Sequence, residues 1–256
     1  MKLDLRGANL QAFELISSNF VASDLRKANL QGADLRHADL SNADLRGAYL
    51  QGADFTQALL NEADLSDASL QGAKLGGCQM KNAKLESVEM QGALLGSSNL
   101  EGAILKKANL QGAVLGPSNL KRANLDRAVL SETKMQGAQL QNALLGSVSL
   151  QGADLSRAHF QGASLFGIEV DQSTSFRNAF FKGAGIRRCN LREVILDPRQ
   201  VNVLFGDQSA RMSRFVTVPK HWPHVPSDDT HAFLVQWREW QKEIGFDPDD
   251  PSTWDD

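Results

Sequence analysis

The chain contains a small group of histidine and aspartate residues whose types suit metal chemistry. His221 and His224 are separated by two residues, and Asp228 or Asp229 and His231 follow shortly after them. Imidazole nitrogen and carboxylate oxygen atoms are ligands that zinc prefers. The residues between the two histidines are Trp and Pro, which predict a loop, whereas metal-binding His pairs usually lie on a rigid helix or strand. We therefore predict no metal site here, and no cofactor elsewhere in the chain.

The common catalytic constellations are missing from the sequence. No set of Ser, His and acidic residues stands out, and no Gly-rich phosphate loop precedes a Lys-Ser or Lys-Thr pair. No close pair of carboxylates falls in a plausible cleft. We therefore predict that the protein is not an enzyme, and we keep an enzymatic site between the C-terminal tail and the rest of the chain as the least favoured alternative.

The dominant feature of the chain is a five-residue repeat. Every fifth residue from Leu5 to Val170 is Leu, Phe, Met or Val, and the residue two positions earlier is most often Ala. A period of five matches neither a flat strand nor a helix. A repeat that cannot bury its own apolar side chain must stack on copies of itself, so the pattern predicts a solenoid.

A second period of twenty residues predicts how the units are wound. Gln recurs at positions 11, 31, 51, 71, 91, 111 and 151. Four units therefore make one square coil, with one large and one small side chain per side filling the axis. Successive coils would rise by ~4.8 Å, which would stack the Gln amides into a ladder.

Glycine marks many of the predicted corners of the coil. Gly32, Gly52 and similar residues follow the core residue by two positions, which is the place in a type II turn where φ is positive. Lys27, His37 and Arg122 stand at the same place, and there we expect a type I or irregular corner.

The motif A-(D/N)-L-x-x, as in Ala33-Asp34-Leu35, Ala108-Asn109-Leu110 and Ala123-Asn124-Leu125, resembles the pentapeptide repeat family over most of the chain. The resemblance implies an all-β solenoid, a right-handed quadrilateral β-helix of about ten coils, with the Leu or Phe and the Ala side chains inside. It does not imply an enzyme, and the family's members are functionally scattered. Part of the C-terminal tail is also weakly similar to tails of bacterial members.

The register of the repeat slips by one residue in the segment 171–175. The next core residues are Phe176, Phe181, Ile186, Leu191 and Leu196, one step out of phase with Val170. We therefore predict a β-helix over 1–196 and a separate C-terminal helical cap and tail over 197–256, where most Pro and all Trp residues lie. The basic residues Arg177, Lys182, Arg187, Arg188 and Arg192 are expected to face solvent, with an acidic partner surface as the alternative.

Two helices are predicted in the C-terminal region. Asp197 and Pro198 begin a short helix that we expect to end at Gly206 and to cover the last coil. A second helix begins at Asp228 or Asp229 and ends at Ile244, with one apolar face. That face consists of Phe233, Leu234, Trp237, Trp240 and Ile244. It either packs on the solenoid or, as we predict, forms a homodimer with a second copy. The role of the segment 219–226 is left open.

Outward-facing apolar residues predict where a partner protein would bind. Ile16 and Val21 lie in the irregular first coil, Leu94 and Val114 share one face, and Ile104 and Leu144 share the opposite face. We therefore expect a protein-interaction scaffold or adaptor whose partner is unknown.

The distribution of charge bears on whether the protein could bind DNA gyrase. Some members of the family protect DNA gyrase by imitating duplex DNA, but Arg6, Arg26 and Arg46 follow the Asp column closely, and ion pairs should cancel its field. Gyrase binding is thus the less favoured alternative. With a net charge of −3 and no apolar run of ~20 residues, we expect no membrane insertion, no direct nucleic-acid binding and a cytoplasmic location.

Overall fold

The computed structural model describes residues 2–223 and 229–254, and a ladder of parallel β-bridges organises most of them. Each bridge joins residues twenty positions apart, from Asp4 with Asp24 to Ser149 with Glu169. The backbone N–H of the large core residue in a unit donates to a carbonyl of the following coil, for example from Leu25 to Asp44 at 2.7 Å. The predicted solenoid, with four five-residue units per coil, is confirmed.

The four sides of the coil are named here by the first residue of each column. Face 1 begins at Asp4, face 2 at Asn9, face 3 at Glu14 and face 4 at Asn19, and each column continues at twenty-residue steps. Because 10 residues separate a position on face 1 from the nearest positions on face 3, these two faces are opposite. Core residues alternate with these outward positions, so their side chains point into the axis.

The interior of the solenoid is filled by the two predicted columns. From Leu25 to Leu165 the large and small core positions are buried, including Phe55, Cys78 and Phe160. Burying a Leu or Phe side chain stabilises a fold by about 1.5–3 kcal/mol, so the stacked column carries most of the folding free energy. In the first coil the corresponding residues Leu5, Leu10 and Leu15 are only partly buried.

Corners with a positive φ have the same left-handed conformation whether or not the residue is glycine. Gly32 has φ 63°, but Lys27 has φ 57°, His37 has φ 60° and Arg122 has φ 58°. Our expectation of type I or irregular corners at these residues is therefore wrong. Hydrogen bonds to the coils on either side hold each corner in place, and they outweigh the cost of about 1 kcal/mol that a side chain adds there.

Amide side chains form short ladders rather than one long column. The predicted Gln column contributes a hydrogen bond from Gln31 Nε2 to Gln51 Oε1 at 3.0 Å. On face 4, Asn119 donates to Asn99 at 3.1 Å, and Asn99 donates to Gln79 at 3.3 Å. The same stacking geometry thus links amides on a face as well as at a corner.

The predicted register slip is confirmed. Asp154 pairs with Ser175, a separation of 21 residues instead of 20, and the next core residues Phe176 and Phe181 are buried. Asp171 ties down the extra residue, because its carboxylate accepts hydrogen bonds from Ser173 and from the backbone N–H of Gly152. These bonds, with that of the Ser173 hydroxyl foremost, lower the pKa of Asp171 to about 2.

The parallel pairing continues beyond the predicted boundary at 196. Three strands, β1 (Ser164–Phe166), β2 (Ala184–Arg187) and β3 (Leu204–Gly206), form a parallel sheet in that order on face 1. The short helix α1 (Pro198–Asn202) begins at the predicted cap Asp197. It ends before Gly206, which belongs to β3, so the expected end at Gly206 is wrong. A glycine is required there by the ring of Trp222, which a Cβ atom would approach to 2.7 Å.

The second helix, α2 (Thr230–Glu243), begins at Asp229, whose side chain caps it by accepting from the N–H of His231 at 2.7 Å. A 3₁₀ turn at Pro251–Thr253 precedes Trp254, the last described residue. In residues 2–223 and 229–254, no helix combines the length and the apolar character that crossing a membrane requires.

Candidate partner-binding groove

The aromatic face of α2 packs on face 1 of the same chain. Trp237 Nε1 donates to the carbonyl of Gly183 at 2.9 Å, and Gln241 Nε2 donates to the same oxygen at 2.7 Å. Phe233 is fully buried, with its ring 5.4 Å from that of Phe166. The helix therefore covers the last coils of the solenoid.

This packing corrects the predicted dimer contact. Phe233, Trp237 and Trp240 are buried within their own chain, and only Leu234 and Ile244 of the predicted interface remain half-buried. The aromatic anchors cannot serve a second copy while they occupy this position, because face 1 offers them a large apolar surface that the sequence pattern did not reveal. A homodimer through another surface stays a prediction.

Glycines in the last coils make room for the rings of the tail. A Cβ atom on Gly185 would lie 2.7 Å from the ring of Trp237, and one on Gly183 would lie 2.8 Å from the ring of Phe246. Any larger residue at Gly185 would push the helix off the sheet. These two glycines contact the tail, and the sequence analysis did not single them out. Once the register is known, Gly185 falls at an outward position and Gly183 at a corner.

A buried ion pair lies beneath α2. Arg187 and Asp207 are almost fully buried, and Arg187 Nε is 3.3 Å from Asp207 Oδ2. The guanidinium carbon of Arg187 also lies 4.7 Å from the ring centre of Phe233. Our expectation that Arg187 faces solvent is wrong, because the tail folds back over it.

His221 and Trp222 pack on the edge of the sheet. His221 Nε2 lies 2.7 Å from the carbonyl oxygen of Leu204, which also accepts from Trp222 Nε1 at 2.8 Å. The imidazole of His221 stacks on Trp240, with ring centres 4.9 Å apart. Within the described ranges no group of three or more potential metal ligands comes together. His224 and Asp228 lie outside the described residues.

Beyond α2, the chain runs back along one corner of the solenoid. The carbonyl of Pro248 accepts from Asn142 Nδ2 at 2.9 Å, and Asp249 lies 3.5 Å from Arg122. Lys121 Nζ lies 5.7 Å from the ring centre of Trp254. An acidic tail segment is thus attached to a basic part of the corner, which holds α2 in place from its C-terminal side.

A groove remains open between α2 and the coil below it. Its volume is about 580 Å³, and Leu144, Phe166, Leu234 and Trp237 line it. Leu144 belongs to the predicted partner surface, whereas Leu234 and Trp237 belong to the predicted dimer contact. The structure therefore brings one residue of the predicted partner surface and two of the predicted dimer contact into one groove. The exposed arginines Arg127 and Arg238 lie at its edge, with Asp126 beside them.

The remaining predicted partner residues lie on coils that the tail leaves uncovered. Leu94 pairs with Val114 on face 3, and their side chains are exposed and half-buried, respectively. Ile104 is exposed on face 1, two coils from Leu144. In the first coil Ile16 is exposed and Val21 is half-buried. The predicted sharing of faces is confirmed, while a binding role for these residues stays a prediction.

Charged side chains on the first coils are paired as predicted. Arg26 lies 2.6 Å from Asp24 and 3.5 Å from Asp44, and Arg6 and Arg46 bridge their own Asp neighbours in the same way. The hydrogen bond from Arg26 is the main reason that the pKa of Asp24 falls to about 2. In the first coils the arginines beside face 1 therefore offset its column of Asp residues, so this side does not present a continuous negative surface.

A protein-family model described as pentapeptide repeats matches the chain in overlapping segments that together run over residues 4–167. A comparison with curated proteins gives no match.

Two solved structures illustrate the similarity of the fold. The first is HetL, a pentapeptide repeat protein involved in heterocyst differentiation regulation from the cyanobacterium Nostoc sp. strain PCC 7120. It is 27% identical, with a TM-score of 0.51, over 80% of this chain and 83% of that one. The second is full-length QnrB1, a plasmid-mediated fluoroquinolone resistance protein, at 17% identity and a TM-score of 0.56, over 71% of this chain and 92% of that one. The second likeness concerns the fold alone.

Proposed function

The chain belongs to the pentapeptide repeat family, and from this premise we propose that it is a non-enzymatic scaffold that binds a partner protein through the groove on face 1. We also propose the right-handed winding, about ten coils and a cytoplasmic location, on which the binding proposal does not depend. The partner would be a protein whose segment carries exposed apolar side chains.

The observation that carries this proposal is the groove between Leu144 and α2. Leu144 exposes 44% of its surface although it lies beside the buried ring of Trp237. Apolar surface next to a preformed wall is typical of protein-binding sites, and arginine at the edge adds directional hydrogen bonds. The solenoid axis is filled by Leu and Ala side chains, so a substrate pocket inside the coil is excluded.

Affinity capture from the native host with a matched pair of variants tests the proposal. Leu144→Asp should fold normally, because Asp occupies the same outward position at Asp44 and Asp64. Leu59→Asp is the control, since Leu59 is an exposed Leu on face 4. We expect a partner that wild type and Leu59→Asp capture and Leu144→Asp does not. Equal capture by all three proteins would contradict a role for the groove.

The alternative function, a DNA-imitating ligand of DNA gyrase, is disfavoured by the paired charges of face 1. A duplex carries one negative charge per ~1.7 Å of its axis, whereas Arg6, Arg26 and Arg46 each neutralise neighbouring Asp residues. We expect purified protein neither to inhibit nor to protect DNA supercoiling by gyrase at micromolar concentration. Clear activity in that assay would favour the alternative over the scaffold.

A further inference from the structure

A second surface, which differs in composition from the groove, lies where the last coil ends. Arg192, Met212, Arg214 and Phe215 line a shallow cleft of about 510 Å³, and Arg211 precedes Met212. These five residues are called the end patch. The three arginines are exposed, and Phe215 exposes 81% of its surface. The end patch shares no residue with the groove.

The end patch is basic, and one of its residues is joined to the β-ladder. Within residues 208–220 the charged residues are Arg211, Arg214 and Lys220, without any carboxylate. The backbone of Arg211 pairs with Asn190 in the last bridge of the ladder, and the guanidinium of Arg214 lies 4.7 Å from the ring centre of Phe215. In the described chain, no carboxylate comes within 4.0 Å of the guanidinium groups of Arg192, Arg211 or Arg214.

The exposed ring of Phe215 shares its cleft with the side chains of Arg192 and Arg214. Arg and aromatic residues are the types that protein interfaces favour, because both bury large areas with defined geometry. The nearest acidic residue in sequence, Glu193, is a single exposed charge beside Arg192. Positive charge therefore prevails around the ring of Phe215.

We infer that the end patch is a docking site for an acidic protein segment that carries an aromatic or aliphatic side chain. The carboxylates of the segment pair with Arg192, Arg211 and Arg214, and its apolar side chain contacts Phe215. Three arginines and one ring make too short a track for nucleic acid, which needs a row of cations along its phosphates. The inference adds a second partner site to the proposed scaffold. The biological use of this site rests on the proposed function, whereas binding of the peptide does not.

Fluorescence anisotropy with a labelled Glu- and Asp-rich peptide containing one Trp tests the inference directly. Arg192→Glu with Arg214→Glu should weaken binding by about tenfold or more, because each reversal removes an attraction and adds a repulsion. The control, Lys107→Glu with Arg157→Glu, makes the same charge change at exposed corners before the register slip. It should bind the peptide like wild type. Equal weakening in both double variants would overturn the inference, since it would reveal attraction to net charge alone.

Three further arms separate the alternatives. Phe215→Ser should weaken binding by about threefold while its salt dependence stays that of wild type, and an unchanged affinity would contradict the role of the ring. A single-stranded oligonucleotide of equal charge should bind more weakly than the peptide, and tighter binding would overturn the choice of a protein segment. Leu144→Asp should bind the peptide normally, so a failure of the groove proposal leaves this result intact.

Discussion

The first coils and the last coils share one core but differ in what their outward positions do. On face 1 the outward residues Asp24 and Asp44 pair with arginines in solvent, whereas Gly185 and Phe205 lie beneath a helix. The inward columns are apolar in both regions, mostly Leu and Ala in the first coils and with Phe176, Phe181 and Ile186 in the last. The comparison shows that the core specifies the rod, and that the outward column decides whether a side of the rod is solvated or covered.

Breaking the feature that both regions share should have the largest effect. Leu110→Asp places a carboxylate in the filled axis, where Leu110 is fully buried. Lost packing and a buried charge together should cost about 5 kcal/mol or more and abolish cooperative unfolding. Thermal melting followed by circular dichroism measures this effect. Leu110→Met is the control, which keeps the volume and should melt within a few degrees of wild type.

The buried ion pair beneath α2 and the ion pairs of the first coils should differ in what they contribute to stability. Arg187→Ala leaves Asp207 buried without its guanidinium partner, which should cost about 3–5 kcal/mol. Arg26→Ala removes an exposed pair with Asp24, which water and salt already screen, so its effect on denaturant unfolding should be small. Similar losses of stability in the two variants would mean that the tail does not exclude water from Arg187.

A matched pair of Gly→Ala substitutions tests whether α2 covers the last coils. Gly185→Ala drives a Cβ atom into Trp237, and we expect it to destabilise the docked tail by about 1–3 kcal/mol. Gly76→Ala is the control in an uncovered coil, where the nearest atom would lie at an ordinary 3.8 Å. Limited proteolysis should cleave the tail of the first variant faster than that of the second. Equal rates would argue against the contact with Trp237.

The smallest expected effect concerns acid. The folded-state pKa of Asp24 is about 2, below its ordinary value of 3.8, so its pairing contributes stability that is fully present above pH 3.8. That contribution is lost as the pH falls through 2. Melting temperatures of wild type and Asp24→Asn should therefore differ at pH 6 and converge near pH 2. A constant difference across this range would show that ionisation of Asp24 is irrelevant.

The sequence predicted what strict periodicity controls. The coil, the buried columns, the slip before Phe176 and a helix cap at Asp228 or Asp229, of which Asp229 is the actual one, all follow from local spacing and turn chemistry. The docking of α2 did not follow, because it depends on which distant surface a helix meets. The sequence around a basic residue such as Arg187 predicts exposure to solvent, because the burial comes from a distant segment of the chain. The conformation of a corner such as that at Lys27 is set by hydrogen bonds to the neighbouring coils rather than by the preference of the residue itself.

Hydrogen exchange at β2 measures the central claim, that α2 covers the last coils of its own chain. The amides of Ala184–Arg187 should be protected in wild type and exchange faster in Trp237→Ala with Trp240→Ala, while coils before residue 150 stay unchanged. Because docking within one chain does not depend on concentration, protection should persist over about a hundredfold dilution. Protection of β2 that disappears on dilution would show that the helix comes from a second copy, and protection unaffected by the double substitution would show that α2 does not cover this sheet.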